Sequence, residues 1–155
     1  MASKNMSLDT INGSDYVSPE IINKNFNKLD ALGVDYVVSQ GKTGQWWYRK
    51  WKSGRAECGI DYKDFGNQTL STSSWSGNMY TTANMSFGAY PFAFSSRPYT
   101  SIQYLNDSVM GSGRISFVAS GASTSTTISP NFYLIDATSG RCHPFFGIYV
   151  CGTYK

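Results

Sequence analysis

The sequence predicts an all-β fold, a β-sandwich or jelly-roll-like head, preceded by a short N-terminal α-helix. Charged residues make up only 15% of the 155 residues, against a usual share of about 25%, while aromatic residues reach 15%. From residue 34 onward, short apolar runs recur about every 8 to 12 residues with Gly, Ser, Asn or Pro between them. No helical pattern separates these runs, which is typical of a sandwich or a barrel.

One helix is predicted between Ser18 and Gly33. Ser18 is a favourable N-cap, Pro19 suits the first helical position, and Gly33 suits the position after the last turn. The apolar residues form one narrow stripe, which consists of Ile22, Phe26, Leu29 and Leu32. Such a stripe can seat the helix on its own domain or form a seam between copies in a parallel oligomer. We therefore predict an N-terminal arm with an oligomerising or attachment helix at 1–33 and a β-rich head domain at 34–155.

The head begins with a strand candidate, VDYVVSQ, followed by a hairpin in the segment WWYRKWKSGRAECG, residues 46–59. A two-residue loop at Ser53-Gly54 would place Lys50 opposite Glu57, whereas a three-residue loop with a glycine bulge would place Arg49 there. The sequence leaves the register open, and a slip of one residue exchanges the two faces. We interpret the aromatic residues as packing residues that anchor the hairpin to the head or to a neighbouring subunit: Trp46, Trp47, Tyr48 and Trp51.

The remaining strand candidates are short runs between polar turns. In chain order they are QTLST, NMYTTANMSFGAY, FAFSS, YTSIQYLN, GRISFVAS, TSTTIS, NFYLID and FFGIYVCGTY. The Ser and Thr residues of GASTSTT suit an exposed edge strand or loop as well as disorder.

Charge and composition exclude several classes of protein. The net charge is only +3, and five of the thirteen basic residues lie within 42–55, which is too thin a basic surface for a nucleic-acid partner. No stretch approaches the roughly 18 apolar residues of a membrane span, and the first residues lack the apolar centre of a signal peptide. Three cysteines without paired spacing indicate reduced, buried thiols in a reducing compartment.

The sequence offers no convincing catalytic or metal-binding set. Its one histidine, His143, follows Cys142 directly, and neighbouring residues on a strand point to opposite faces. Zinc would need this histidine and all three cysteines, without a Cys-x-x-Cys pair to begin the site. Asp107 and Asp136 are the only acidic residues after Asp64; they could form a glycosidase pair, but their contexts are typical of turns. We predict no enzyme activity, no catalytic residue, no metal and no cofactor.

Neutral hydroxyl and amide groups among aromatic rings suit carbohydrate, because sugar hydroxyls need donors and acceptors and the ring C–H face lies on an aromatic ring. The candidate ligand residues come from two segments, STSSWSGNMY and YLNDS, of the middle of the chain and its loops: Trp75, Asn78, Tyr80, Tyr104, Asn106 and Asp107. The alternative for Trp75 is a structural role, capping the sandwich.

Three stretches resemble a known family. INKNFNKLDALGVDYVVSQG, WWYRKWKSGRAECG and FFGIYVCGTYK are similar to segments of bacteriophage and prophage tail-fibre, baseplate and head-fibre proteins of Gram-positive hosts. Gly59 stands where that family often has tryptophan, and the chain ends Gly-Thr-Tyr-Lys where Gly-Arg-Trp-Lys is common. The resemblance implies a virion appendage, assembled in the host cytoplasm as a homotrimer, whose distal β head touches the host surface.

We therefore expect a virion protein that binds a host surface glycan, with itself and a capsid, baseplate or fibre-shaft protein as partners. We expect no nucleic-acid partner and no membrane insertion. One alternative is a structural head-fibre, capsid-decoration or baseplate protein without a receptor. A second is a surface-glycan depolymerase that uses Asp107 and Asp136.

Overall fold

The computed structural model describes residues 19–31, 33, 35–72, 79–109, 116–120 and 126–155. The chain divides into two compact units, one ending at Tyr36 and one comprising Val37–Lys155.

The first unit contains the predicted helix, α1, at Pro19–Ala31. Glu20 in the first turn and Lys28 in the last turn complement the helix dipole. Gly33 follows with φ +66°, a left-handed conformation that glycine adopts without strain. Of the predicted apolar stripe, Ile22 and Phe26 are 41% and 48% exposed. The Phe26 ring contacts the Tyr36 ring at 6.0 Å between centroids. Ser18, Leu32 and the side chain of Leu29 lie outside the described residues.

The described residues of the second unit form ten strands. They are β1 Val37–Thr43, β2 Trp46–Trp51, β3 Arg55–Asp64, β4 Gln68–Thr72, β5 Tyr80–Thr81, β6 Tyr99–Asp107, β7 Ser116–Ser120, β8 Asn131–Asp136, β9 Gly140–Cys142 and β10 Pro144–Thr153. The prediction of a mostly β chain with one short helix is confirmed. Two predicted strands are wrong, because 92–96 and the described residues 126–129 form no strand and carry only an isolated bridge at Ile128.

The strands form two antiparallel five-stranded sheets. The first sheet has the order β1-β2-β3-β10-β6 and the second β7-β8-β5-β4-β9. The C-terminal strand β10 thus lies inside the first sheet, between β3 and β6. Hydrogen bonding to two neighbours in the sheet, rather than to one, holds the end of the chain in place.

The hairpin between β2 and β3 uses the three-residue loop. Arg49 lies opposite Glu57 and Lys50 opposite Ala56, which leaves 52–54 as the loop. Gly54 has φ +90°, and its N–H donates to the Trp51 carbonyl at 3.0 Å. A glycine at this left-handed position is the feature that selects the three-residue loop over the two-residue one.

Alternation along the strands produces one apolar core to which both sheets contribute. On β10 the buried residues include Phe146, Ile148 and Val150, and on β8 Phe132 and Leu134. The rings of Phe146 and Phe132, both fully buried, contact at 4.8 Å between centroids, so the first sheet meets the second at this pair. Full burial of each ring contributes about 1.5 to 3 kcal/mol relative to exposure.

The segment between β5 and β6 fills the core without strand ladders. Phe87, Tyr90 and Phe94 are buried there, and the Tyr90 and Phe94 N–H groups donate to the carbonyls of Thr127 and Thr126. These single bonds satisfy backbone donors, and the apolar side chains still reach the core. A period-two apolar pattern therefore arose at 92–96 from loop packing rather than from a strand.

Candidate functional site

The predicted ligand residues are spread over both sheets. Trp75 and Asn78 lie outside the described residues, as does the side chain of Asp107. Tyr80 is half-buried on β5 of the second sheet, where its backbone pairs with Asp136 of β8. The remaining two lie on β6, in the first sheet.

Tyr104 and Asn106 occupy opposite faces of β6, although residues two apart normally share a face. A β-bulge at Leu105 causes the difference, because Tyr104 pairs with Phe146 and Asn106 with Phe145. The Tyr104 ring packs on the buried Phe146 ring at 5.3 Å, whereas Asn106 is exposed. Asn106 therefore lies on the solvent side of the first sheet, and Tyr104 lies on the core side.

Asp136 has a structural role in the turn after β8. It is buried, and its Oδ1 accepts hydrogen bonds from the backbone N–H and the hydroxyl of Thr138, both at 3.0 Å. A carboxylate that bonds its own chain two residues on forms an Asx turn. Of the two acids that the depolymerase alternative requires, Asp136 is buried in this turn, and the side chain of Asp107 lies outside the described residues.

Three near-parallel rings form a stack on the outer face of the first sheet, the face turned away from the core. Phe145 stacks on Tyr62 at 5.0 Å and 19°, and on His143 at 5.1 Å and 21°. Tyr62 is 58% exposed. Asp64 and Asn106 flank Phe145, because the three are paired across β3, β10 and β6. We call these five residues the ring-stack cluster.

A second bulge places Tyr62 in this cluster. Phe146 pairs with Lys63 and Ile148 with Ile60, so Asp61 and Tyr62 on β3 together oppose one residue of β10. Both side chains then face outward, Tyr62 onto Phe145 and Asp61 toward Trp47. Lys63 turns inward, and its amine donates to the Ser86 carbonyl at 3.1 Å. Partial burial lowers the pKa of Lys63.

Hydrogen bonds hold the carboxylate of Asp64. Its Oδ1 accepts the Gly66 backbone N–H at 2.6 Å and the His143 ring nitrogen, Nε2, at 2.7 Å. The Gly66 N–H, followed by the imidazole, lowers the pKa of Asp64 below its ordinary value. Asp64 is therefore an ionised acceptor of defined orientation beside the exposed Tyr62 ring.

Trp47, Arg49, Glu57, Asp61 and Tyr149 form a second group on the same face, which we call the indole cluster. Trp47 and Tyr149 lie on β2 and β10, on either side of β3, and both pair with Gly59. Two strand spacings are about 9.5 Å, yet the two rings approach to 6.2 Å between centroids. They approach because Gly59 has no side chain between them. The Trp47 Nε1–H donates to Asp61 Oδ1 at 2.9 Å.

Glu57 links the strands at the other end of this cluster. The Tyr149 hydroxyl donates to Glu57 Oε2 at 2.6 Å, and Arg49 Nη1 lies 3.8 Å from Glu57 Oε1. The hydrogen bond to Glu57, with a smaller contribution from burial, raises the pKa of Tyr149 to about 12. The tyrosine stays protonated and donating at any physiological pH. Strands β1 and β2 carry a shallow depression of about 430 Å³, lined by Gln40, Gly41, Lys42, Trp47, Tyr48 and Arg49.

The predicted packing tryptophans have three different environments. Trp46 is buried against Phe87 and Tyr90, at 6.4 and 5.6 Å between ring centroids. Trp47 belongs to the indole cluster. Trp51 is half-buried, with the Arg55 guanidinium 5.6 Å from its ring centre. Adjacent Trp46 and Trp47 face opposite sides of the sheet, as strand geometry requires.

Sequence reasoning missed Tyr62, Asp64 and Phe145 as members of a surface cluster, and it considered His143 as a catalyst, a metal ligand or, more often for such a residue, a turn or interface residue. Tyr62 and Asp64 do share one face at a spacing of two, which was a usable signal. Their meeting with Phe145 and His143 depends on a pairing across 79 residues of chain. No local pattern encodes such a pairing.

Among the described residues, no group of three or more His, Cys, Asp or Glu side chains is placed to hold a metal ion. No helix in the described part of the chain is long and apolar enough to cross a membrane. Comparison with protein-family models, curated proteins and solved structures finds no match to the chain.

Proposed function

We propose that the chain is an appendage protein of a bacteriophage virion, whose β head binds carbohydrate on the host cell surface. The observation that carries the proposal is the outer face of the first sheet, where the exposed Tyr62 ring and several half-buried aromatic rings lie beside hydrogen-bonded carboxylates. Aromatic rings bind the C–H face of a sugar, and carboxylates and amides accept or share its hydroxyl hydrogens. The phage origin rests on the resemblance of three sequence segments to fibre and baseplate proteins.

Within this proposal, the two sheets pack as a sandwich or jelly-roll-like head. Both sheets contribute rings to one core through Phe132 and Phe146, which supports a face-to-face arrangement. A head of this kind leaves the outer face of the first sheet to solvent or to a ligand.

The appendage is a homotrimer in this proposal, mounted on a capsid, baseplate or fibre-shaft protein. Helix α1 exposes Ile22 and Phe26, and the edge strand β1 exposes Val37 and Val38 at 41% and 43%. Exposed apolar residues on a helix stripe and on a sheet edge are features that neighbouring copies cover in oligomers. A solution mass of one chain would contradict this part of the proposal.

Binding of purified protein to host cell-wall polysaccharide tests the function directly. We expect saturable retention of the wild-type protein on the polysaccharide, and reduced retention of a Trp47→Ala variant of unchanged oligomer mass. Wild-type protein that binds no cell-wall carbohydrate would contradict the receptor-binding role. Release of reducing sugar would favour a depolymerase instead.

A structural role without a receptor is the second candidate, and the exposed apolar residues of α1 and β1 favour it. Labelling the protein on intact particles and imaging them separates a position on the capsid from one at the tail tip. A capsid position combined with absent glycan binding would support a decoration protein.

The oligomer itself is tested by changing the helix stripe. We expect Phe26→Asp to reduce the solution mass to that of one chain, because a charge in the seam costs desolvation energy. Asn23→Asp, an exposed helix position of similar size, is the control and should leave the mass unchanged. Equal masses for wild type and Phe26→Asp would exclude the helix seam.

A further inference from the structure

We infer that the ring-stack cluster is a subsite for a neutral pyranose, with the open face of Tyr62 as its platform. The inference rests on the proposed function and specifies its ligand class. One face of the Tyr62 ring covers Phe145, yet 58% of the residue remains exposed. The Tyr62 ring is therefore packed on Phe145 with one face, and its other face is exposed to solvent.

Pre-organisation is the first argument. Tyr62 packs on Phe145, which in turn packs on His143, and the His143 ring bonds Asp64. Each of these contacts restricts the rotamers of the two side chains that it joins, so little side-chain entropy remains to be lost when a ligand binds. A single exposed tyrosine elsewhere lacks this support. Tyr99, 66% exposed at the start of β6, contacts no other described ring.

The polar groups beside the ring suit sugar hydroxyls. Asp64 is ionised and oriented by the Gly66 N–H and His143, and a carboxylate accepts up to about four hydrogen bonds. Asn106, exposed on the other side of Phe145, adds an amide that both donates and accepts. A pyranose laid on Tyr62 directs its equatorial hydroxyls sideways, toward groups placed in this way.

Charge selects a neutral sugar. The carboxylates of Asp61 and Asp64 flank Tyr62 on the outer face, while the intervening Lys63 turns its amine to the opposite face. A sugar carboxylate or phosphate on the platform would meet two like charges without the nearest lysine. Repulsion at contact distance in water lowers affinity roughly tenfold for such a pair of charges.

Saturation-transfer NMR with methyl glycosides tests the subsite. The probes are methyl glucoside, galactoside and mannoside, with methyl glucuronoside as the anionic counterpart. We expect at least one neutral glycoside to bind the wild type, and glucuronoside to bind at least about tenfold more weakly than methyl glucoside. Tyr62→Ala should lose about tenfold in affinity, while Tyr62→Phe and the control Tyr99→Ala stay within about threefold.

Asp64→Asn separates charge from structure. Asparagine can still accept the Gly66 N–H, so the loop is retained while the negative charge is removed. We expect the discrimination between glucoside and glucuronoside to fall several-fold in this variant, a change that a purely structural role would not produce. Each variant is checked for its circular dichroism spectrum and unfolding temperature before binding is compared.

The outcomes distinguish the subsite from the broader function. Wild-type binding that Tyr62→Ala leaves intact would remove the subsite, although the glycan-binding role would stand. Equal binding of glucoside and glucuronoside would overturn the neutral class. Binding to cell-wall polysaccharide without binding to any neutral glycoside would also overturn the inference, whereas absence of both would contradict the proposed function itself.

Discussion

Gly59→Ala should destabilise the head, because the space above this residue is already occupied. A Cβ at Gly59 would lie 2.7 Å from the Ile148 carbonyl oxygen and 2.7 and 2.9 Å from two carbons of the Trp47 indole. Carbon atoms in contact normally stay about 3.5 to 4.0 Å apart. The methyl group therefore forces the indole away from β3 and strains the pairing with β10.

The expected cost is about 3 kcal/mol. Inserting a methyl group into a packed position costs about 1 to 3 kcal/mol. Displacing the indole also weakens the bond from Trp47 to Asp61, worth about 0.5 to 1.5 kcal/mol. For a chain of this length, about 3 kcal/mol lowers the unfolding temperature by roughly 6 to 12 °C.

Guanidinium unfolding followed by circular dichroism, at equal chain concentration for every variant, measures this cost. Gly140→Ala on β9 is the matched control, because a Cβ there meets nothing within 4 Å. We expect it to stay within about 1 kcal/mol of wild type. Gly59→Ala should cost less in a Trp47→Ala background, since two of the three atoms closest to the new methyl group belong to the indole. A variant as stable as wild type, or equal costs in both backgrounds, would refute the reasoning.

Three further outcomes follow from burial and hydrogen bonding. In the native protein only Cys151 should react rapidly with a disulfide reagent at pH 8, because Cys58 and Cys142 are buried and burial raises the pKa of Cys58 to about 12. Reaction of all three thiols at once would contradict the burial of Cys58 and Cys142 in the core. Because the pKa of Tyr149 is raised, the stability that this residue contributes is present below pH 10 and is lost as the pH rises toward 12. Tyr149→Phe should therefore flatten part of the loss of stability at alkaline pH in unfolding titrations. An unchanged profile would exclude the bond to Glu57. The pKa of Asp64 is lowered, so the stability that this residue contributes is present above pH 3.8 and is lost as the pH falls further. Asp64→Asn should therefore reduce the loss of stability in acid. An acid unfolding curve identical to that of the wild type would contradict this role of Asp64.

The elements with strong local signals were predictable. Pro19 and Gly33 bracket a helix observed at Pro19–Ala31, and NFYLID and QTLST coincide with β8 and β4. Each of these segments has its own start, stop and period, so neighbouring residues alone specify it. The hairpin was predictable except in register, since the choice between two loops depended on the conformation of Gly54.

The candidate site was much less predictable. Period-two reasoning places Tyr104 and Asn106 on one face, but the bulge at Leu105 separates them. A bulge forms where two strands of unequal path must stay paired, and this requirement belongs to the sheet rather than to either strand. A second β-bulge, at Asp61 and Tyr62, places the Tyr62 side chain in the ring-stack cluster.

The sequence by itself determined the mostly β class and the helix at Pro19–Ala31, because composition and short-range periodicity act within a few residues. Only the tertiary structure decided which aromatic rings meet. His143 reaches Asp64 and Tyr149 reaches Glu57 because the C-terminal strand inserts between β3 and β6. Contacts of that range are set by the pairing of whole strands, which minimises the free energy of the entire sheet rather than of any one segment.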